Sequence, residues 1–442
     1  MNNILRTKGW HFLIVSFVAL LLILQPDVTK VEAKAVETKA ESAIIVDVNT
    51  GKVLYAKNEN EALPPASMTK MMTEYIVLEK IDQGEIDWNT TTQISDYAYS
   101  ISANNSFSGV GLRQNVDYTV KELYEAMAIN SDNATSIALA ELIAGSEGEF
   151  VKLMNQKAEE MNLPDFKFVN STGLDNESLD GNHPEGTKAD DTNLLSARSA
   201  ALLAYHLVSD YPEVLDISSI PETKFDDQTI KNWNWMLPHD ATYLKQYYYE
   251  GVDGLKTGHT DLAGYTFTST ATQKDRRLIT VVMKTASEDE RFKETAKLLD
   301  YGFSQFNVTE LFKAGYELQD KPSVPVTKGK EKKVDIALKE DISIPIEKGT
   351  EESYRIEYNF DESAFNENGE LVAPIKKGDK VGTAELVFDG GEEFGYILDG
   401  ESKVSVDLVT TSDVDKKNWF SLMLGAIGQF FVNLYDKFMG LF

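Results

Sequence analysis

Ser67 stands three residues before Lys70 in PPASMTKMMTEY (64–75), close to one helical turn, so a helix places both on one face. A serine hydroxyl attacks well once a base removes its proton, and an ordinary lysine is protonated at neutral pH. The pair suits acyl transfer only where burial or a second cation favours the neutral amine. Lys256, in VDGLKTGHTDLAGYT (252–266), is a candidate for that cation. A third polar cluster, Ser131-Asp132-Asn133, lies in AINSDNATS (128–136). Each has a plain structural alternative. Ser131 alone reads as a helix cap, Lys256 as an exposed strand charge and His259 as a loop histidine.

The chain carrying these residues has 442 of them, enough for two domains and terminal segments. With 42% hydrophobic and 10% aromatic residues it can bury a core. A formal charge of −28 speaks against nucleic acid as a partner, because polyphosphate is repelled. With no cysteine there are no disulfides, thiol nucleophiles or thiolate metal sites. The histidines, His11, His183, His206, His239 and His259, never pair at ligand spacing, so no metal and no organic cofactor is implied.

Arg6 and Lys8 precede the apolar run FLIVSFVALLLIL (12–24), and a polar stretch then leads to VEAKA (31–35). That order predicts a secretory signal over 1–35, cleaved after Ala35 or, as second choice, Ala33. The run is shorter than the ~20 residues of a spanning helix.

The positioning elements follow from periodicity. SAIIVDVNTGKVLYAKN predicts two strands joined at Asn49-Thr50-Gly51. Helices are expected from the Ser67–Lys70 pair onward and in TVKELYEAMAINSDNATSIALAELIA (119–144), interrupted near 130. Another is expected with apolar residues at 150, 151, 154, 158 and 161, and a further one at about 195–209. Lys256-Thr257-Gly258 is expected just before a strand, 264–285 as a hairpin turning at 273–276, and DERFKETAKLLDYGFSQF as a closing helix. Strands at both ends with helices between predict a mixed α/β domain over 36–308, one antiparallel sheet flanked by helices. Short alternating runs then predict a small all-β domain over 309–412.

The last segment, 413–442, holds WFSLMLGAIGQFFVNLYDKFMGLF. At 100° per residue Phe420, Leu424, Ile427, Phe431, Leu434 and Phe438 share one face, with Gln429, Asn433 and Asp436 opposite. Lys416, Lys417 and Lys437 can meet anionic headgroups, so an amphipathic helix on a membrane surface is expected.

The ordered set Ser-x-x-Lys, Ser-Asp-Asn and Lys-Thr-Gly resembles that of penicillin-binding proteins and class A β-lactamases. PPASMTKMMTEY and DGLKTGHTDLAGYT are closer to the low-molecular-mass penicillin-binding proteins, the serine D-alanyl-D-alanine carboxypeptidases of the peptidase S11 kind. The resemblance covers almost the whole chain. It implies a β-lactamase/transpeptidase-like fold and an acyl-enzyme on Ser67 with Lys70 as base and Ser131 as proton relay. It further implies Asn133 on the substrate's peptide carbonyl and an oxyanion hole from the Ser67 and His259 N–H groups. Lys256, Thr257 and Arg291 would bind the terminal carboxylate, with Gly258 permitting close approach of a peptide. The implied partners are peptidoglycan stem peptides ending in D-Ala-D-Ala, and β-lactams as covalent inhibitors. The implied location is the outer face of the bacterial cytoplasmic membrane. A class A β-lactamase would carry Glu-x-x-Leu-Asn between the second and third motifs, where this chain has NESLDGNHPEGTKADDTN. A penicillin sensor without turnover would need spanning helices and a cytoplasmic effector.

Overall fold

The computed structural model describes residues 36–179, 181–391, 393–398 and 404–439. The expected signal and its cleavage sites at Ala33 and Ala35 lie outside the described residues.

Strands β1 (Ser42–Asp47) and β2 (Val53–Lys57) form the first hairpin, turned by Gly51 at φ +69°. A 3₁₀ turn, Ala66–Thr69, then runs directly into α1 (Lys70–Asp82). Helix α2 (Val120–Asn130) opens on a capping box of Thr119 and Glu122. Helix α3 (Asn133–Ala144) is capped by Asp132 and ends at Gly145, φ +80°. Helix α4 (Glu147–Glu160) buries Phe150, Val151, Met154 and Ala158 on one face, as their spacing predicts. Helix α5 (Ala197–Asp210) follows, then strands β3 (Val252–Thr260), β4 (Gly264–Gln273) and β5 (Arg276–Thr285), and finally α6 (Glu288–Gln305).

The strands make one antiparallel sheet in the order β2-β1-β5-β4-β3, so the first hairpin pairs with β5 from far along the chain. The core joins Ile44, Val46, Ile279 and Val281 of the sheet to Met72, Ile76, Leu123, Ile137 and Leu203 of the helices. α3 is buried along Asn133–Ala140, which explains why its sequence is apolar almost all round. Lys256-Thr257-Gly258 lies inside β3, whose ladder pairing with β4 runs from Val252 to Thr260, and the strand expected after the motif is β4.

α6 passes straight into β6 (Phe306–Phe312), and β7 (Ser323–Thr327), β8 (Lys333–Leu338) and β9 (Ile342–Glu347) follow. β10 (Tyr354–Phe360), β11 (Leu371–Val372), β12 (Lys380–Phe388) and β13 (Ser405–Thr410) complete this part. Their six-stranded sheet has the order β10-β12-β13-β8-β7-β11, while β6 pairs with β9. A separate core gathers Val334, Ile336, Ile344, Ala384 and Leu408. Since β6 pairs with β9 from Phe306 onward, the strands of this part begin three residues ahead of the expected 309.

Residues 393–398, between β12 and β13, reach back to the first hairpin. Val53 N–H donates to Gly395 O at 2.9 Å and Ile397 N–H to Gly51 O at 2.7 Å. Lys52, 4% exposed, sits between Glu393 Oε1 at 2.9 Å and the Tyr354 hydroxyl at 3.1 Å. Helix α7 (Trp419–Met439) ends the described chain, with Trp419, Phe420, Ile427, Phe431 and Leu434 exposed. Among the described residues no helix is long and apolar enough to cross a membrane.

Candidate active site

Ser67 lies on the 3₁₀ turn and not in α1 itself, half-buried at the mouth of a cleft of about 290 Å³. Three features fix the turn. Ala66 takes φ +50°, a left-handed conformation uncommon for a residue with a Cβ. Thr266 of β4 donates to Pro65 O at 3.0 Å. A Cβ on Gly258 of β3 would come 2.6 Å from Pro65 O and 3.0 Å from Ser67 N. Gly258 is therefore needed for the protein's own close packing against the serine-bearing turn, a nearer reason than approach by a peptide.

Lys70 is 0% exposed and its Nζ has three partners: Ser67 Oγ at 3.0 Å, Asn133 Oδ1 at 2.8 Å and Thr172 O at 2.7 Å. Two of these can only accept, and Ser67 Oγ can also donate. A neutral amine has two N–H bonds and one lone pair, which is the complement of that set. Burial, and after it the charge of Lys256, hold the Lys70 amine well below its usual range, against Asp132, Glu74 and Glu147.

Lys256 is 2% exposed and does not line the cleft. Alternation along β3 turns Lys256 and Gly258 to one face. Their cross-strand partners Thr268 and Thr266 reach Met68 Sδ at 3.2 Å and Pro65 O at 3.0 Å. Lys256 Nζ donates to Thr257 O at 3.4 Å, and burial brings the ammonium down to about 8. Thr257, Gly258 and His259, next to it on β3, line the cleft.

Ser131, at φ +62°, ends α2 and lines the cleft with Asn133. The capping role open to it from sequence belongs to Asp132, whose Oδ1 accepts from Thr135 N–H at 2.6 Å. Oδ2 of Asp132 accepts from Val110 N–H at 2.6 Å and so ties down the loop bearing Ser106, Phe107 and Ser108. Asn133 Nδ2 donates to Ser108 O at 3.2 Å, which turns its Oδ1 toward Lys70.

Arg291, 3% exposed on α6, also lines the cleft. It donates to Gly258 O at 3.0 Å and Glu288 Oε1 at 3.1 Å, and stacks 4.8 Å from the Phe292 ring centre. Burial lowers it to about 10, still charged at neutral pH. Its Nε has no partner among the described residues. Arg276 and Arg277 lie elsewhere, on Asp47 and Asp253.

The chemistry this constellation suits is acyl transfer from a serine. The D-alanyl-D-alanine carboxypeptidase family matches residues 28–287. The chain belongs to that family. The serine-type carboxypeptidase expected from the sequence, a hydrolase of the penicillin-binding proteins, is what the family comprises. Residues 306–416 match the C-terminal domain of penicillin-binding protein 5. The chain is 36% identical to the D-alanyl-D-alanine carboxypeptidase DacF of Bacillus subtilis over 80% of its own length and 82% of the relative's. The solved peptidoglycan synthesis regulatory factor PBP3 of Streptococcus pneumoniae superposes with a TM-score of 0.67 at 35% identity, over 86% of this chain and 100% of that one. Penicillin-binding protein D2 of Listeria monocytogenes, solved with cefotaxime bound, gives a TM-score of 0.52 at 29% identity, over 61% of this chain and 98% of that one.

Within the carboxypeptidase cleft several lining residues escaped the sequence reading: Phe107, Leu174, Trp233, Tyr265 and Glu288. Only Glu288 carried a usable signal, its position three before Arg291 on a helix. The others arrive on loops and a strand whose placement is tertiary.

Proposed function

We propose that Ser67 is the nucleophile and Lys70 the general base of a D-Ala-D-Ala carboxypeptidase acting on peptidoglycan stem pentapeptides. Lys70 takes the Ser67 proton as Oγ bonds to the carbonyl carbon of the penultimate D-alanine. The Ser67 and His259 N–H groups carry the oxyanion while it exists. Ser131 passes a proton to the leaving nitrogen, terminal D-alanine departs, and water then cleaves the ester and restores Ser67. Asn133 holds the peptide carbonyl of the substrate. Thr257 and Arg291 bind the terminal carboxylate, and the buried charge of Lys256 beside Thr257 adds its positive field. A β-lactam enters the same path and stops at the acyl-enzyme.

The observation that supports this most is the partner set of Lys70, two acceptors and the one hydroxyl to be activated. Labelled penicillin should mark the tryptic peptide holding Ser67, and Ser67→Ala should lose the mark while keeping the parent's melting temperature. A mark that survives the substitution sinks the assignment.

The reading extends to location. The protein is exported by its N-terminal segment and held at the outer face of the cytoplasmic membrane by α7. Support comes from the exposed apolar side chains of that helix and from Lys437 in its last turn.

A further inference from the structure

Three buried carboxyls surround Lys70, and two are accounted for by structure. Asp132 is bonded by Thr135 and Val110 N–H. Glu147 accepts from Ser171 N–H at 2.8 Å, Ser171 Oγ at 2.6 Å and the Tyr97 hydroxyl at 3.0 Å. Glu74 differs. It lies one turn beyond Lys70 on α1, on the same face, and is 2% exposed. Among the described residues no hydrogen bond reaches its carboxyl and no cation lies within 4.0 Å of it. Neither of its oxygens is among the fully buried side-chain atoms left without a partner, so the carboxyl keeps slight contact with solvent; a carboxyl this deep with no fixed partner is still costly.

Lys70 on its own helix and Lys256 on β3 both act on the charge of Glu74. From α2 it is felt by Tyr124, a fully buried phenol whose hydroxyl has no partner among the described residues. Asp210 of α5 is taken up by Tyr75 and His206. Burial outweighs the two lysines and raises Glu74 to about 7.

We infer that Glu74 is a positioning residue of the acylation step, a carboxyl that acts through Lys70 and Lys256 and offsets the ammonium Lys70 becomes on taking the Ser67 proton. This rests on Lys70 being the base. Without Glu74, that proton transfer would put a second cation beside Lys256 in a buried site with only Asp132 and Glu147 left to offset it. With it, the site exchanges one buried charge arrangement for another of similar cost.

The test is the pH profile of second-order acylation by a fluorescent penicillin, on the full chain as parent, Glu74→Gln and Glu74→Asp. Removing an anion disfavours both ammonium forms. Lys70 then becomes a base at lower pH, and Lys256 loses its charge at lower pH. Both limbs of the bell should move toward acid. The ratio of rates at pH ~6 and pH ~8.5 should rise roughly threefold or more in Glu74→Gln, and Glu74→Asp should return it toward the parent. A uniformly lowered rate with an unmoved profile overturns the inference. Lys70→Met serves as the control: if it still acylates, the base assignment fails; if it does not and Glu74→Gln leaves the profile unmoved, the role of Glu74 alone fails. A measurement on the parent needs no variant. Side-chain carboxyl NMR should show a glutamate titrating at about 7, and finding every glutamate in the ordinary carboxylate range overturns the inference.

Discussion

Lys70 and Lys256 are two buried amines asked to hold opposite protonation states, and that conflict fixes how the enzyme answers to pH. As the proposed base, Lys70 must be neutral to take a proton, so acylation is expected to rise as pH passes through its lowered titration point. Lys256 titrates at about 8, and above that the field that favours a carboxylate fades. The expected profile is a bell with its alkaline limb near that value, read as acylation by labelled penicillin. A rate still climbing at pH ~10 contradicts it. Arg291 gives a second prediction. A charge-assisted hydrogen bond to a carboxylate contributes ~1.5–3 kcal/mol, so Arg291→Ala should lower kcat/KM on a D-Ala-D-Ala peptide by roughly ten- to a hundred-fold. The C-terminal amide of that peptide should be cleaved poorly by the parent and be little affected by the substitution. Equal cleavage of acid and amide by the parent would remove the idea of carboxylate recognition. Ser67, Lys70, Ser131, Asn133 and Lys256 were legible because each sits in a short contiguous motif whose residue types imply chemistry. Glu74 was not: one turn past Lys70 it looks like any helix glutamate, and only burial without a partner singles it out.

The serine turn shows how elements, more than individual side chains, hold the site. Ser67, the proposed nucleophile, rides on four residues of 3₁₀ geometry, pressed between Gly173 and Gly258, whose added Cβ atoms would each meet backbone of the turn. Gly258→Ala must therefore move the turn or the strand. Displacement of about 1 Å can cost on the order of 10²-fold in rate, and overpacking roughly 1–3 kcal/mol in stability. We expect a large loss of penicillin acylation with a lowered melting temperature; an unchanged acylation rate would show that the turn does not need this contact. The main helices and strands were readable from periodicity, since their apolar faces repeat at 3.6 or 2 residues. The start of α1 was less so, because the sequence distinguishes a 3₁₀ turn poorly from a first helical turn. The hairpin of Glu222–Phe225 and Gln228–Lys231 went unread, being short, mostly polar and without an alternating face.

At the scale of the whole molecule, the chain joins a catalytic sheet to a β-rich part by α6 and again by the segment 393–398. The second connection was illegible, because a loop that bonds a hairpin some 340 residues earlier leaves no local pattern. The described apolar side chains of α7 are exposed and belong to neither core. Deleting 415–442 should move the protein from membrane to medium with its peptidase activity intact, as measured on washed membranes and culture supernatant. Retention on the membrane would point instead to the N-terminal segment, and loss of folding would assign α7 to a core. The contact of 393–398 with Gly51–Val53 has a consequence for association. β2 is the outer strand of its sheet, and an outer strand with free N–H and C=O groups is a template for another chain. The borrowed segment occupies the start of that template, and it buries the Lys52 charge that would otherwise guard the edge. A chain cut after Gln305 would lose the cover, and its catalytic sheets would tend to pair with one another; light scattering of that fragment against the full chain would show whether the β-rich part keeps the enzyme monomeric.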